Sequence, residues 1–397
     1  MRTFDARYEN MSRPELEQLQ LERLQTLLVR LKRNVRRQRE RLGELRVESL
    51  ADLARLPFTT PAEVLESFPY GMLAFPLREV IRLNSTVGSG GKPMVAGHTR
   101  NDLLQWGRLV ARQLVATGVT ANDVLMICLG GGEQAAAAGY VLGAELIEAS
   151  VIAEEPFHID HQLAMLKNYR PTILITTPTN ANDLILLMDR CKVEPQSLGL
   201  RSVLLTRPVG KPVREQIGAG LFATVQCNFG IGEVLDPGLC VECAAGRFHV
   251  NEDHFLVEAD AGELVVTTLC REAMPLLRYR TRVTCEISSE KCPCGRTSRQ
   301  VMPGVRLDGR VYVNEMPIYE QQVGEVLAQS GVAGCAFRCE FQERRILIHV
   351  QMTEQLFADV IWPIERLRRQ VEVEILNRLG VEAQVSFMQD KPAPHPV

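Results

Sequence analysis

The sequence predicts an α/β protein with a large N-terminal domain and a smaller α+β C-terminal domain. Between residues 80 and 300, apolar β-branched runs alternate with helical stretches, a pattern of parallel strands joined by crossover helices. After residue 303 the pattern changes to a helix, two paired strands, a second helix and a last strand. With 397 residues, of which 46% are hydrophobic, the chain can bury a core in each domain.

The first element is a helical region over residues 12–46. Ser12 can cap it, Glu15 follows three residues later, and leucines recur at helical spacing. The second half, LKRNVRRQRERL, is strongly basic. Because the net charge of the chain is −3, a solvated helix face explains this stretch better than nucleic-acid binding through residues 30–41, which stays a hypothesis.

The parallel layer is predicted from apolar runs that are each separated by enough residues for a crossover helix. These runs are DVLMICL (123–129), ASVIA (149–153), PTILITT (171–177) and RSVLLT (201–206). Two later runs, ELVVTTL (263–269) and LRYRTRVTCEI (277–287), alternate Thr and Val with no long helix between them. They predict antiparallel or barrel-like structure in the second half of the large domain.

The predicted boundary follows PGVRLDGR, where the helix and strand pattern changes. We expect a large domain over 1–307, a small α+β domain over 308–391 with its linker at Asp308-Gly309, and a disordered Pro-rich tail over 392–397. No segment approaches the about 18 apolar residues of a membrane span, and the N-terminus lacks a signal-peptide pattern. The sequence therefore predicts a cytoplasmic protein with no membrane or nucleic-acid partner, and it leaves a homodimer open.

A glycine-rich segment, Asn84 to Pro93 (NSTVGSGGKP), combines hydroxyls, glycines and one lysine. Glycines let backbone N–H groups turn toward a phosphate, and Lys92 would add charge. Because Pro93 follows the lysine, the segment does not have the GxxxxGK[ST] pattern of P-loop NTPases. A phosphate-binding loop and an ordinary surface loop are both open on these residues alone.

This segment resembles the phosphate-binding loop of adenylate-forming enzymes, which reads SSGTTGKPT in phenylacetate–CoA ligases. Other segments resemble the same family in the same order along nearly the whole chain. They are MSRPELEQLQLERLQ, LADLARLPFTTPAEVLESFPYGMLAFPLREVIRL, FGIGEVLDPG (229–238), FHVNEDHF (248–255), GELVVTTLCREAMPLLRYRTR (262–282) and CPCGRT (292–297). The resemblance implies the adenylate-forming fold, with a large N-terminal α/β domain and a small α+β C-terminal domain.

The resemblance also implies an activity. Such enzymes use ATP with Mg²⁺ to adenylate a small carboxylic acid and then transfer the acyl group to coenzyme A or another thiol. It implies that Lys92 and Glu233 are catalytic residues and that Glu233 acts by binding magnesium. The alternative is that Glu233 is a solvated acidic residue after a glycine turn. The implied nucleotide-binding residues are Thr86, Gly88, Ser89, Gly91, Lys92, Phe229, Gly230, Glu233 and Arg306.

Several family positions are altered. The aspartate of RYRTRD, implied to hold the ribose, is Val283, which accepts no hydrogen bond. The family's GAEP segment is replaced by Thr206-Arg207-Pro208, and its YGLSE segment is replaced by residues Phe229 to Glu233. Val87 stands where the family's phosphate-binding loop has a hydroxyl side chain. The C-terminal GK lysine has no counterpart, with Lys391 the nearest candidate. The implied acyl-pocket segment, LGGGEQA (129–135), is polar where a phenyl ring would bind, so phenylacetate is a doubtful substrate.

A cysteine and histidine cluster predicts a structural zinc site. Cys240, Cys243, His249 and His254 lie close in sequence, and CPC (292–294) follows about 40 residues later. Thiolate and imidazole are the ligands that structural zinc selects, and two short thiol-rich turns can supply four of them. The preferred ligand set is Cys243, His249, Cys292 and Cys294. The alternatives are reduced buried thiols and, less favoured, a catalytic thiol.

Two functions remain open from the sequence. One is a divergent phenylacetate–CoA ligase-like enzyme with weakened or altered nucleotide binding. The other is a catalytically degenerate pseudoenzyme of the same fold, a binding or regulatory partner. Loss of one oriented charge at a transition state costs about 10²–10³-fold in rate, so several losses together weigh against an efficient ligase.

Overall fold

A computed structural model describes residues 2–88, 91, 93–130, 132–154, 158–351 and 364–388, without the side chains of 86, 87, 153 and 154. The described residues form two compact units. The large unit lies within Met1–Thr86 and Pro93–Arg306, and the small unit within Val87–Lys92 and Leu307–Val397.

The large unit begins with a group of helices. Ser12 and Glu15 form a capping box at the start of the longest of them, and its leucines are buried against later segments. The elements are α1 (Ala6–Glu9), α2 (Arg13–Asn34), α3 (Arg36–Leu42) and α4 (Pro61–Glu66). The predicted helical region over 12–46 is occupied by two helices, α2 and α3, which are separated at Val35, and the helical structure ends at Leu42.

A five-stranded parallel sheet forms the centre of the large unit. Its strands are short apolar runs, many of them fully buried, as expected for strands covered on both faces. The strands are β3 (Val124–Cys128), β4 (Ser150–Glu154), β5 (Ile173–Thr176), β6 (Ser202–Leu205) and β7 (Thr224–Cys227). Their order across the sheet is β4-β3-β5-β6-β7. The helices are α5 (Arg100–Ala116), α6 (Gln134–Ile147), α7 (Ile159–Tyr169), α8 (Pro178–Cys191) and α9 (Lys211–Leu221). The predicted parallel layer is confirmed.

Before this sheet, β1 (Arg82–Val87) and β2 (Pro93–His98) form a two-stranded sheet. After it, a six-stranded sheet has the order β10-β11-β12-β13-β9-β8 with antiparallel pairing, as the Thr and Val alternation predicts. Its strands are β8 (Cys240–Glu242), β9 (Phe248–Val250), β10 (Phe255–Asp260), β11 (Glu263–Thr268), β12 (Tyr279–Ser288) and β13 (Gln300–Arg306).

The small unit is an α+β structure with its own hydrophobic core. It contains the hairpin β14 (Val311–Val313) and β15 (Met316–Ile318), α10 (Glu320–Leu327), β16 (Phe337–Phe341), β17 (Arg345–Gln351), α11 (Ile364–Leu379) and β18 (Glu382–Met388). β17 pairs antiparallel with β16 and parallel with β18.

The predicted tail, 392–397, lies outside the described residues. Within the described part of the chain, no helix has the length and apolar character needed to cross a membrane.

Candidate functional site

The glycine-rich segment is shorter as a loop than its sequence suggests, because Asn84 to Val87 belong to β1. The turn that follows begins at Gly88, whose carbonyl accepts a hydrogen bond from the Gly91 N–H at 3.0 Å. Gly91 has φ = +78°, a conformation that favours glycine. Ser89, Lys92 and the side chain of Thr86 lie outside the described residues, so the implied phosphate contacts stay a prediction.

Glu233 lies in a tight turn that precedes β8. The N–H groups of Val234 and Leu235 donate to the carbonyl of Ile231 at 2.9 and 2.8 Å. Glu233 is only 5% exposed, so its interpretation as a solvated acidic residue is wrong. A buried carboxylate needs a positive partner or hydrogen-bond donors, because burial removes it from water.

The two residues implied to lie beside the nucleotide have packing roles in this turn. Phe229 is buried and contacts Phe248 edge to face, with ring centroids 5.9 Å apart. Gly230 has no room for a side chain, because an added Cβ would lie 2.2 Å from Oδ1 of Asp236. The sequence around Glu233 therefore fixes the turn by close packing.

A positioning contact that sequence reasoning missed comes from Arg271. Its guanidinium donates hydrogen bonds to the carbonyls of Glu233, at 3.2 Å, and Val234. No sequence signal could have identified this contact, since backbone carbonyls are common to every residue type.

Polar side chains occupy the carboxyl edge of the parallel sheet, where open α/β sheets bind ligands. Thr206, after β6, donates to Oε1 of Glu133 at 3.2 Å, and Arg207 lies 4.0 Å from the same oxygen. Glu133 immediately precedes α6 and belongs to the implied acyl-pocket segment. Tyr140, in the same helix, is fully buried, and its hydroxyl has no partner within the described residues.

The position implied to hold the ribose is apolar and closed. Val283 in β12 is 3% exposed and belongs to the main hydrophobic core. It pairs across the sheet with Arg306, the last residue of β13. The ribose position therefore offers no side-chain hydrogen-bond acceptor.

The preferred zinc set converges in the structure. One ligand atom from each of Cys243, His249, Cys292 and Cys294 lies within 4.8 Å of all the others. The Cys243 and Cys292 sulfurs are 3.7 Å apart, and Sγ of Cys294 is 3.4 Å from Nε2 of His249. Nδ1 of His249 faces the carbonyl oxygen of Ser298 at 3.2 Å.

The protonation properties of the four groups differ. Burial lowers the pKa of His249 to about 4, so its imidazole is neutral at pH 7 and has a lone pair to donate. Burial raises the pKa of the Cys243 thiol to about 11. Burial also acts to raise the pKa of Cys294, but hydrogen bonds from the Arg296 N–H and the neighbouring thiols lower it overall. The donor set, three thiols and one imidazole, is that of closed structural zinc sites.

The two other residues of the predicted cysteine and histidine cluster, His254 and Cys240, have different surroundings. His254 contacts Oδ2 of Asp253 through Nδ1, at 2.9 Å, and Gln105 through Nε2, at 3.3 Å. Cys240 is fully buried in β8, and burial raises the pKa of its thiol. Neither belongs to the cluster of four.

Much of the basic N-terminal stretch serves internal contacts. Arg41 pairs with Glu63 at 3.1 Å and donates to the Phe58 carbonyl at 2.6 Å, and Arg37 pairs with Glu66 at 2.9 Å. Charge used in this way is not available as a continuous phosphate-binding surface.

Comparison with known proteins gives no match to a protein-family model. Among curated proteins, the phenylacetate-coenzyme A ligase of Thermus thermophilus is 30% identical over 423 aligned residues, covering 97% of this chain and 95% of that protein. The phenylacetate-coenzyme A ligase of Pseudomonas putida is 33% identical over 69% of this chain and 67% of its own length.

Solved structures show the same fold. A crystal structure of 2-hydroxyisobutyryl-CoA ligase with 2-HIB-AMP and CoA matches with a TM-score of 0.85 at 20% identity, over 96% of this chain and 88% of that one. A malonyl-CoA ligase with methylmalonyl-CoA and AMP matches with a TM-score of 0.57 at 18% identity, over 78% and 71% of the two chains. The fold is that of the adenylate-forming CoA ligases, and the full-length identity to curated relatives shows that the chain belongs to the phenylacetate-coenzyme A ligase family.

Proposed function

We propose that this chain is an ATP-dependent acid–thiol ligase that adenylates a carboxylic acid and transfers the acyl group to coenzyme A or another thiol. The observation that carries the proposal is the buried turn of Glu233. Glu233 is only 5% exposed, in a turn fixed by backbone hydrogen bonds and by Arg271. A preorganised carboxylate of this kind can hold the magnesium that neutralises a reacting phosphate.

The acid we propose is not phenylacetate. Glu133 in the implied acyl-pocket segment hydrogen-bonds with Thr206 at 3.2 Å and lies 4.0 Å from Arg207. Placing a phenyl ring against a charged pair would remove water from it without replacing its hydrogen bonds, which is unfavourable. A smaller or more polar acid fits these residues better.

The second candidate function is a protein of the same fold without ligase activity. Val283 favours it, since a 3% exposed valine in the core cannot bind ribose hydroxyls. Lys391, the nearest candidate for the C-terminal lysine, lies outside the described residues. Under this proposal the fold serves as a binding or regulatory partner.

One pair of measurements separates the two functions. Calorimetric titration of the purified protein with Mg-ATP should give a dissociation constant below about 1 mM. Pyrophosphate release should then depend on an acid from a panel of small, polar and aryl acids. Glu233→Gln should abolish the release, whereas Glu44→Gln, the same change at an exposed site, should not. A folded protein that binds no Mg-ATP would exclude the ligase.

We also propose that Cys243, His249, Cys292 and Cys294 bind a structural zinc ion. The support is their convergence within 4.8 Å and the burial of three of the four. If the Ser298 carbonyl accepts the Nδ1–H of His249, Nε2 is left as the metal ligand, an arrangement common at zinc sites. Four protein ligands leave no open position for substrate, so the ion would stabilise the fold.

A further inference from the structure

Arg271 is a buried arginine without an ion-pair partner among the described residues. It is 6% exposed, and its three hydrogen bonds go to backbone carbonyls: Glu233 and Val234 through Nη1, and Gly97 through Nη2 at 3.0 Å. Its Nε has no partner in the described part of the chain. Its direct hydrogen bonds within the described residues are thus all to backbone carbonyls.

This arrangement is unfavourable for stability by itself. Burial lowers the pKa of Arg271, and the charge of Asp102 only partly opposes the shift. Burying a charge costs several kcal/mol. The hydrogen bonds that Arg271 donates to backbone carbonyls offset part of this cost and tie the guanidinium to the segments that carry those carbonyls.

Arg271 joins two segments of the candidate site. Gly97 lies in β2, the strand into which the glycine-rich segment runs, and Glu233 and Val234 lie in the candidate magnesium turn. The segment that carries Arg271 is itself fixed. The N–H groups of Glu272 and Ala273 donate to the Asp102 carboxylate at 2.7 and 2.9 Å.

Arg271 also borders a small cavity. The cavity has a volume of about 20 Å³ and is lined by His98, Trp106, Leu235 and His254, among others. This is room for about one water molecule. The site therefore tolerates a somewhat shorter cationic side chain, because a water molecule in the cavity can replace a lost contact.

We propose that Arg271 is a positioning residue for Mg-ATP: its charge-assisted hydrogen bonds to the carbonyls of both segments orient the Glu233 turn against β2. The inference rests on the proposed ligase function. Groups that orient a metal ligand from behind typically change metal affinity or activity by about 10–100-fold when they are replaced.

The test is calorimetric titration of the full-length protein with ATP, with and without Mg²⁺, for four variants. Arg271→Met and Arg271→Gln remove the charge, and Arg271→Lys keeps it. Arg41→Met is the control, because Arg41 also donates to a backbone carbonyl and pairs with a carboxylate but contacts neither β2 nor the Glu233 turn.

Both neutral variants should lose about 10–100-fold in Mg-ATP affinity and much less in affinity for metal-free ATP. Arg271→Lys should stay within about threefold of the wild type, and Arg41→Met should be unchanged. If Arg271→Met does not fold, Arg271→Gln decides, since its amide can still donate to a carbonyl. This inference, but not the ligase function, would be overturned if a folded neutral variant kept the wild-type affinity for Mg-ATP. It would also be overturned if the variant lost as much affinity for metal-free ATP as for Mg-ATP. No Mg-ATP binding by the wild type would overturn it together with the ligase function.

Discussion

Removing the metal from the proposed zinc site should loosen two parts of the large unit at once. Cys243 lies beside β8, His249 lies in β9, and Cys292 and Cys294 lie between β12 and β13. The chain just after Cys294 also holds the N-terminal segment. Arg296 contacts Glu9 at 3.1 Å, and Thr297 donates to the Met11 carbonyl at 2.9 Å. Metal loss should therefore expose the N-terminus to proteases.

The magnitude follows from ligand linkage. At a free zinc concentration 1,000 times the dissociation constant, binding stabilises the folded state by about 4 kcal/mol. The large unit has roughly 300 residues, so its unfolding entropy is about 0.6 kcal/mol/K. Chelation should then lower the Tm of this unit by about 6 °C.

The assay combines metal analysis of the purified protein with thermal unfolding before and after a strong zinc chelator, under reducing conditions. Cys294→Ser should abolish zinc binding and the chelator effect. Cys285→Ser is the matched control, since Cys285 is a buried cysteine outside the cluster. A wild-type protein that contains no zinc after growth with zinc, and whose Tm is unaffected by added zinc or chelator, would refute the reasoning.

Three further predictions concern stability. Arg112→Met should cost about 3–5 kcal/mol in urea unfolding, because Asp253, which Arg112 contacts at 2.8 Å, would keep a buried charge. Burial lowers the pKa of His98 to about 2, so the unfolded chain binds more protons below about pH 6.5 and stability falls with decreasing pH. His98→Phe should therefore reduce the pH dependence of the unfolding free energy between pH 6.5 and 5, by up to about 1.4 kcal/mol per pH unit. Gly143→Ala should cost about 1–3 kcal/mol in thermal unfolding, because its Cβ would lie 2.6 Å from Cγ1 of Val110.

Each of these has a clear contrary result. Unchanged stability of Arg112→Met would show that other groups compensate the Asp253 charge. Equal pH slopes for the wild type and His98→Phe would show that His98 can be protonated in the folded state. A neutral Gly143→Ala would mean that α5 and α6 can separate without loss, despite their close packing.

The parallel layer and the small unit were predictable because their signals are local. Buried runs such as Val124–Cys128 and Ile173–Thr176 are continuous in sequence, and the helices between them have their own period. The extent of β1 was not predictable, since Asn84 to Val87 become a strand only by pairing with β2 across the glycine-rich turn. The pairing register of two strands cannot be deduced from the sequence of either strand alone.

The residues of the candidate site also differ in whether the sequence alone identifies them. Thiols and an imidazole identify a metal site by their own chemistry, so Cys243, His249, Cys292 and Cys294 could be selected before the structure placed them together. Arg271 could not be selected, because its role depends on carbonyl groups that are brought together by folding. The chemical type of a side chain is known from the sequence, whereas its hydrogen bonds to backbone groups are known only from the folded structure.

The retained and altered nucleotide positions differ in how they are built into the structure. Val283 packs in the core, where burying a valine contributes about 1.5–3 kcal/mol, so the loss of the ribose acceptor is also a gain in packing. Glu233, by contrast, is buried in a turn whose carbonyls accept hydrogen bonds from Arg271. The proposed ligase therefore has a fixed turn for Mg²⁺ but no hydrogen-bond acceptor at Val283, so we expect it to recognise the ribose less strongly.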